Sequence, residues 1–319
     1  MARPIVKARL RASVMLLALL GAPAAGQGPG PEAAQLEAAS SSTALSARTA
    51  TAPPPRPANL FSFLRPDALA AELATRHKES TSLPDLLERT TRGLVGAPYV
   101  LSPLGEGEGE DPDPRLRFDA FDCTTFVETA LALARCDDLE ALATTLDRIR
   151  YRGAPSYAHR RHLVEAEWVP DLIADGQLVD VTRELGGAKT KRYKLEISKD
   201  TWAKRRIARS LVLAPADVPW GSYEVDYIPL ADIAKLSIPP GTILNVVRTA
   251  VPWSPTMVTH QGLVLRSPVD GGLIVRHASP VARRVIDEKL SHLVERYLHP
   301  KLDRGWPVVG LSFLRVAGK

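Results

Sequence analysis

The order of patterns along this chain predicts an α+β fold, with helices first and an antiparallel sheet after them. Three observations carry that expectation. Segments with helical spacing of Leu, Ala and Val fill the first part. Short runs rich in β-branched residues and Leu, separated by Gly and Pro, fill the last third. The two kinds of segment do not alternate, which argues against a parallel α/β sheet. The 319 residues and 45% hydrophobic side chains allow a sizeable core. The same composition excludes a collagen, a disulfide scaffold and a wholly disordered chain.

Residues 1–24 read as a secretory signal peptide. Arg3, Lys7, Arg9 and Arg11 precede an apolar run over Val14–Leu20, and Ala22-Pro23-Ala24 supplies small residues for cleavage. The run is short of the roughly 20 apolar residues that span a bilayer. The formal charge of +5 would fall to +1 once those four basic residues are removed. This weakens a nucleic-acid reading. No second run of spanning length follows, so no stable membrane span is expected after cleavage, and the compartment would be periplasmic or extracellular. Residues 25–59 carry no aromatic residue, many Ala and Ser, and Pro53-Pro54-Pro55-Arg56-Pro57. They read as a disordered tether. A single folded domain is expected over 60–319.

Within it, Asp67–His77 and Leu83–Leu94 are expected as helices, with Pro66 and Pro84 near their starts. Gly96–Asp113 reads as a loop. A buried helix is expected to begin near Cys123, where Phe126, Leu131, Leu133 and several Ala follow. Leu139–Ile149 and His162–Ala174 are further helices, with Pro170 placed to kink or end the second. Ile243–Val247, Met257–Leu265, Leu273–His277 and Leu311–Val316 read as strands. Arg183–Arg209 holds ten Lys or Arg against three acids. It reads as a solvated basic insertion or as a patch facing a polyanion.

Cys123 and Cys136 are the two cysteines. On one helix they would stand ~20 Å apart, beyond disulfide reach, so either the helix breaks or both stay reduced. Asp122 is a good N-cap residue, which puts Cys123 in a first turn. There the helix dipole favours a thiolate, the nucleophilic form. Such a nucleophile needs a base. His260 and His277 lie on consecutive strands. A loop over Ser267–Asp270 would set Arg266 opposite Gly271 and His260 directly opposite His277. A two-residue Asp270-Gly271 turn would keep both on one face, four residues out of step. His159 and His162 lie near Glu165 and Glu167 but lack the His-Glu-x-x-His spacing of a zinc hydrolase. No metal or other cofactor is expected.

The quoted residues resemble the NlpC-type peptidoglycan hydrolases, and within them the N-acetylmuramoyl-L-alanine amidase-like branch. The ordered matches are Gly96-Ala97-Pro98-Tyr99, Phe121 to Glu128 around Cys123, Arg150-Tyr151, Arg160-Arg161-His162 with Trp168 downstream, His260-Gln261-Gly262, and Arg276-His277-Ala278-Ser279. The resemblance implies a papain-like fold and a secreted cysteine hydrolase acting on a peptidoglycan or muropeptide amide. It implies Cys123 as nucleophile, His260 as base and His277 as the residue orienting it. Tyr99 would help hold the oxyanion, and Arg160, His162 and Arg276 would contact substrate. The bond it implies first is muramoyl–L-alanine; γ-D-glutamyl–diamino acid is the alternative, and a non-catalytic cell-wall binding protein is a third reading. The chain departs from the family at Leu101-Ser102-Pro103-Leu104, where a Gly pair is usual, at Gly241-Thr242 in place of Gly-Asp, and at Arg161 in place of Asn.

Overall fold

The computed structural model describes residues 60–204, 211–251, 253–299 and 306–317. The signal-peptide and tether readings, and residues 205–209 of the basic stretch, lie outside the described residues.

Helix α1 (Pro66–Glu79) has Pro in its first turn, and α2 (Leu83–Arg92) is capped by the Ser82 side chain. The longest stretch of buried helix is α3 (Cys123–Arg135), which runs into Cys136 at its C-cap. Asp138 caps α4 (Leu139–Arg150). A π-helical turn over Val164–Trp168 then passes into α5 (Val169–Ala174), with Pro170 in its first turn. Pro170 thus sits where the π-helical turn passes into α5 and does not end the segment.

The remaining elements are β1 (Leu178–Asp180), α6 (Thr182–Gly186), β2 (Lys191–Ile197), α7 (Lys199–Lys204), β3 (Gly221–Pro229), α8 (Leu230–Ile233), β4 (Thr242–Arg248), β5 (Val258–Arg266), β6 (Leu273–Ser279), β7 (Arg284–Lys289), α9 (Leu290–Leu298) and β8 (Val308–Val316). The strands form one antiparallel sheet in the order β2-β3-β8-β4-β5-β6-β7, and β1 also pairs with β8. The α+β expectation therefore holds.

Both faces of the sheet are covered. Ile243, Leu263, Leu265, Ile274 and Leu314 join the core that holds α1 to α4. Leu244, Val246, Val264, Val275 and Phe313 pack with α8 and α9. Because successive side chains of a strand alternate between faces, each strand serves both cores. Helix α3 packs against α2, α4, β5 and β6, which explains why it is apolar nearly all round.

The basic stretch is not a loop. Its middle is the edge strand β2, with Leu195 and Ile197 buried. Arg192 pairs with Glu224 and Asp226, Arg183 with Asp226, and Lys189 with Asp232. Charge on an edge strand also discourages pairing with another chain.

Candidate active site

The site begins at the start of α3. Asp122 Oδ1 accepts the Thr125 N–H at 2.8 Å, and Thr125 Oγ1 accepts the Asp122 N–H at 2.9 Å, a reciprocal capping box. The other carboxylate oxygen, Oδ2, accepts the Ser102 N–H at 2.9 Å. Ser102 has φ of 50°, a left-handed backbone that favours glycine. The chain thus keeps a glycine-like bend where its sequence departs from the Gly pair, and Asp122 secures it. Gly96, with φ of 93°, makes the turn that leads Pro98 and Tyr99 onto β7 and Phe121.

Helix α3 meets the sheet where two strands part. The β5–β6 ladder runs from Arg266↔Leu273 to Leu263↔Arg276 and no further. Beyond its end the Gln261 backbone N–H bonds to the Cys123 sulfur. The neighbouring residue on the strand is His260, whose Nε2 lies 2.6 Å from His277 Nδ1. His260 Nδ1 is buried and has no hydrogen-bond partner among the described residues.

The His pair forms, but not through the expected register. Ser267 N–H bonds to Gly272 O, and Gly271, with φ of 71°, closes the loop. The closing pair is Ser267–Gly272, one residue later than expected, so Arg266 faces Leu273. His260 and His277 are therefore diagonal, not opposite, yet remain on one face and within reach. Gly262 makes room for this: a Cβ there would lie 3.0 Å from His277 Cβ and 2.7 Å from Val275 Cγ1.

The electrostatics overturn one expectation. Burial, reinforced by the Asp122 carboxylate, pushes the Cys123 thiol up to about 12, despite its bonds from Gln261 and Thr124. The helix N-terminus does not win at rest, and the resting group is a thiol. Burial also holds His260 well below its ordinary 6.5, with the His277, Arg296 and Arg248 charges adding to the effect. Tyr99 is raised by burial and by its closeness to Cys123 and Asp122. It stays a phenol, and its buried hydroxyl has no partner among the described residues.

Tyr99 and Gln261 thus stand beside Cys123 at the strand end, and the His260–His277 pair begins one residue along the strand. The expected substrate contacts are placed differently. Arg276 is fully enclosed and spends all its donors internally, on Asp287, Glu88 and Thr91. It ties α2 to β7 and has no donor left for a substrate, which corrects that assignment. Arg160 is buried between Glu106 and Asp111, a second correction. His162 lies against the Tyr157 ring with Nε2 2.7 Å from Tyr157 O, and its Nδ1 has no partner among the described residues. Arg150 and Glu128 form a buried pair, and Tyr151 bonds Gly105 O, so these motif residues hold the loop around 104–106 to α3 and α4.

Two site neighbours escaped the sequence reading. Glu288 Oε2 lies 3.3 Å from His277 Nε2, and Arg296 Nη2 lies 2.6 Å from the same oxygen. Among the described residues no group of three His, Cys, Asp or Glu is placed to hold a metal ion. The His159 and His162 rings bind backbone carbonyls of Ala154 and Tyr157, and Glu165 bonds Thr256 and Met257. The four residues do not converge. Nor is any described helix long and apolar enough to cross a membrane.

The sequence model of the N-acetylmuramoyl-L-alanine amidase-like family matches residues 89–298. The chain belongs to that family. Among solved structures, a Legionella pneumophila protein is 24% identical with a TM-score of 0.65, over 79% of this chain and 95% of its own. An N-acetylmuramoyl-L-alanine amidase from Bacteroides uniformis is 24% identical with a TM-score of 0.54, over 78% of this chain and 99% of its own. A Bacteroides fragilis protein provisionally named a xylanase is 27% identical with a TM-score of 0.52, over 70% of this chain and 98% of its own. No curated protein sequence is a significant match.

Proposed function

We propose that the chain is an exported cysteine hydrolase of the NlpC-type, papain-like kind that cleaves the muramoyl–L-alanine amide of peptidoglycan. The observation that carries this reading is the buried Nδ1 of His260, which has no hydrogen-bond partner among the described residues and lies one residue from the backbone N–H that touches the Cys123 sulfur.

Both partners start neutral, so proton transfer accompanies attack. His260 Nδ1 takes the Cys123 proton as the sulfur bonds to the amide carbon. The oxyanion is held by the Tyr99 hydroxyl and the Cys123 backbone N–H. The C–N bond then breaks, and His260 returns its proton to the leaving amine. Water, deprotonated by His260, hydrolyses the thioester and releases the muramoyl carboxylate. The second bond, γ-D-glutamyl–diamino acid, calls for the same chemistry. A xylanase would need two carboxylates flanking a glycosidic bond. Of the two acids in the motif around the thiol, Asp122 is committed to a helix cap and Glu128 to Arg150.

Mass spectrometry of digested muropeptides tests the reading. Stem peptides freed whole from muramic acid support the amidase, and dipeptide products support the endopeptidase. Binding to cell walls without any cleavage would support the non-catalytic reading. Equal cleavage by the wild type and Cys123→Ala would sink the cysteine mechanism. N-terminal sequencing of the secreted product tests removal of residues 1–24.

A further inference from the structure

The mechanism above, on which this inference rests, gives no role to Glu288 or Arg296. Both stand in line behind the His pair. The β6–β7 register sets His277 opposite Ile286 and Val275 opposite Glu288. Glu288 is therefore diagonal to His277 on the same face, as His260 is on the other side. Helix α9 follows β7 directly and brings Arg296 over that face. The contacts run from His260 Nε2 to His277 Nδ1 at 2.6 Å, and from His277 Nε2 to Glu288 Oε2 at 3.3 Å. They continue from Glu288 to Arg296, whose Nη2 reaches Oε2 at 2.6 Å and whose Nε reaches Oε1 at 3.2 Å.

A neutral imidazole has one N–H and one bare nitrogen, and the partner of one nitrogen decides the state of the other. A carboxylate only accepts. If His277 turned a bare Nε2 toward Glu288, two acceptors would face each other. We propose that Glu288, held by Arg296, is a positioning residue that fixes His277 as its Nε2–H tautomer, so that His260 carries its proton on Nε2 and presents a bare Nδ1 for the Cys123 proton. The opposite tautomer would put a proton on His260 Nδ1 and block the base.

Arg296 also keeps the carboxylate ionised. Burial opposes this, but the closeness of His277 and the two bonds from Arg296 outweigh it and hold Glu288 down at about 2. The His277–Glu288 contact is longer and less aligned than a formed hydrogen bond, as is common in substrate-free sites. The other charges felt by the pair are Arg248, by His260, and Asp287, by His277 from the opposite face of the sheet. No proton reaches Glu288 during the reaction. The His260 imidazolium keeps its Nε2–H on His277 Nδ1, and the carboxylate stabilises that cation through the neutral ring.

Nitrogen-15 NMR of histidine-labelled Cys123→Ala protein at neutral pH reads the tautomers directly. Protonated Nε2 and bare Nδ1 are expected on both rings, and a protonated Nδ1 on His277 would overturn the proposal. Glu288→Gln keeps the shape and removes the charge. It should lower kcat about 10–100-fold, the usual cost of losing an outer partner of a functional His, with KM unchanged. The acidic limb of its kcat/KM profile should move to lower pH. Full kcat with an unmoved limb in Glu288→Gln would also overturn the proposal. The NMR result does not depend on which bond is cleaved, so failure of the amidase reading and failure of the tautomer assignment are separable.

Discussion

Two arginine–carboxylate clusters stand back to back across the same strands. Arg276 and Asp287 point toward α2, while their neighbours His277 and Glu288 point toward α9. In the first cluster every Arg276 donor has an acceptor. In the second, the chain from Arg296 through Glu288 and His277 ends at a His260 nitrogen with no partner among the described residues. The chemistry of the residues is nearly the same in both. What differs is closure. A saturated polar cluster joins elements, whereas one that ends in an orphaned acceptor is a place for a proton to arrive.

Breaking the saturated cluster should have the largest effect. Arg276→Met takes the arginine from the partly exposed Asp287 and from the Glu88 and Thr91 oxygens, while Glu88 keeps Arg92. The loss should therefore fall toward the low end of the about 3–5 kcal/mol that breaking a buried ion pair costs. Urea denaturation should register that loss, while molecules still folded at low temperature keep their turnover. If turnover per folded molecule collapsed instead, Arg276 would belong to the site after all. Gly262→Ala tests the open cluster sterically. Overpacking of this kind costs about 1–3 kcal/mol, and the methyl pushes His277 away from His260. Activity should therefore fall further than stability does.

Asp122→Asn separates the cap from the charge. Asn keeps the cap at Oδ1 but turns an amide NH2 toward the Ser102 N–H. Taking the acceptor from that buried donor should cost about 1–3 kcal/mol in the midpoint of unfolding. The thiol, relieved of a neighbouring negative charge, should ionise below its present value of about 12, as followed by thiolate absorbance. At neutral pH, replacing His162 by Gln has the smallest effect, but the replacement changes the pH slope. Burial lowers His162 from 6.5 to about 3, so in that window the unfolded state binds more protons. The stability tied to His162 is whole above 6.5 and drains away as the pH falls toward 3. Unfolding midpoints should therefore decline less in His162→Gln between pH 7 and 4.

Much of this was legible in the residues. Asp122 before Cys123, and the long apolar run after it, placed both the cap and the start of α3. The spacing of the two strand histidines placed them on one face. Their register was not legible, because the same loop length fits two closing pairs and only the positive φ at Gly271 selects one. Strand β2 was masked by its own charge: in Lys191-Arg192-Tyr193-Lys194-Leu195-Glu196-Ile197 the inward residues alternate correctly, but the basic outward ones dominate the count. Arg160 and Arg276 looked like ligand contacts because arginine beside histidine suggests a site. Apart from Asp287, 11 residues from Arg276, their acceptors lie 49 to 188 residues away in the chain, where no local pattern could show them. Glu288 and Arg296 stand near His277 in the chain and were missed for a different reason. Strand β7 carries the mixed run Arg284-Val285-Ile286-Asp287-Glu288-Lys289, which does not read as a strand, although Leu290, Leu293, Val294 and Tyr297 carry the helical spacing that could have placed α9.

The position of β8 bears on how the enzyme is made. It is the last strand in chain order, yet it lies between β3 and β4 and also receives β1. Without it β1 has no partner and the rest of the sheet is two disconnected pieces, one carrying β2 and β3 and the other carrying both histidines. On the proposed mechanism, a chain emerging from the ribosome therefore exposes Cys123 before the strands that carry its base are joined to the rest of the sheet. Competence then arrives as a single late event, when Val308–Val316 slots home, and a product cut short before that point would be inert.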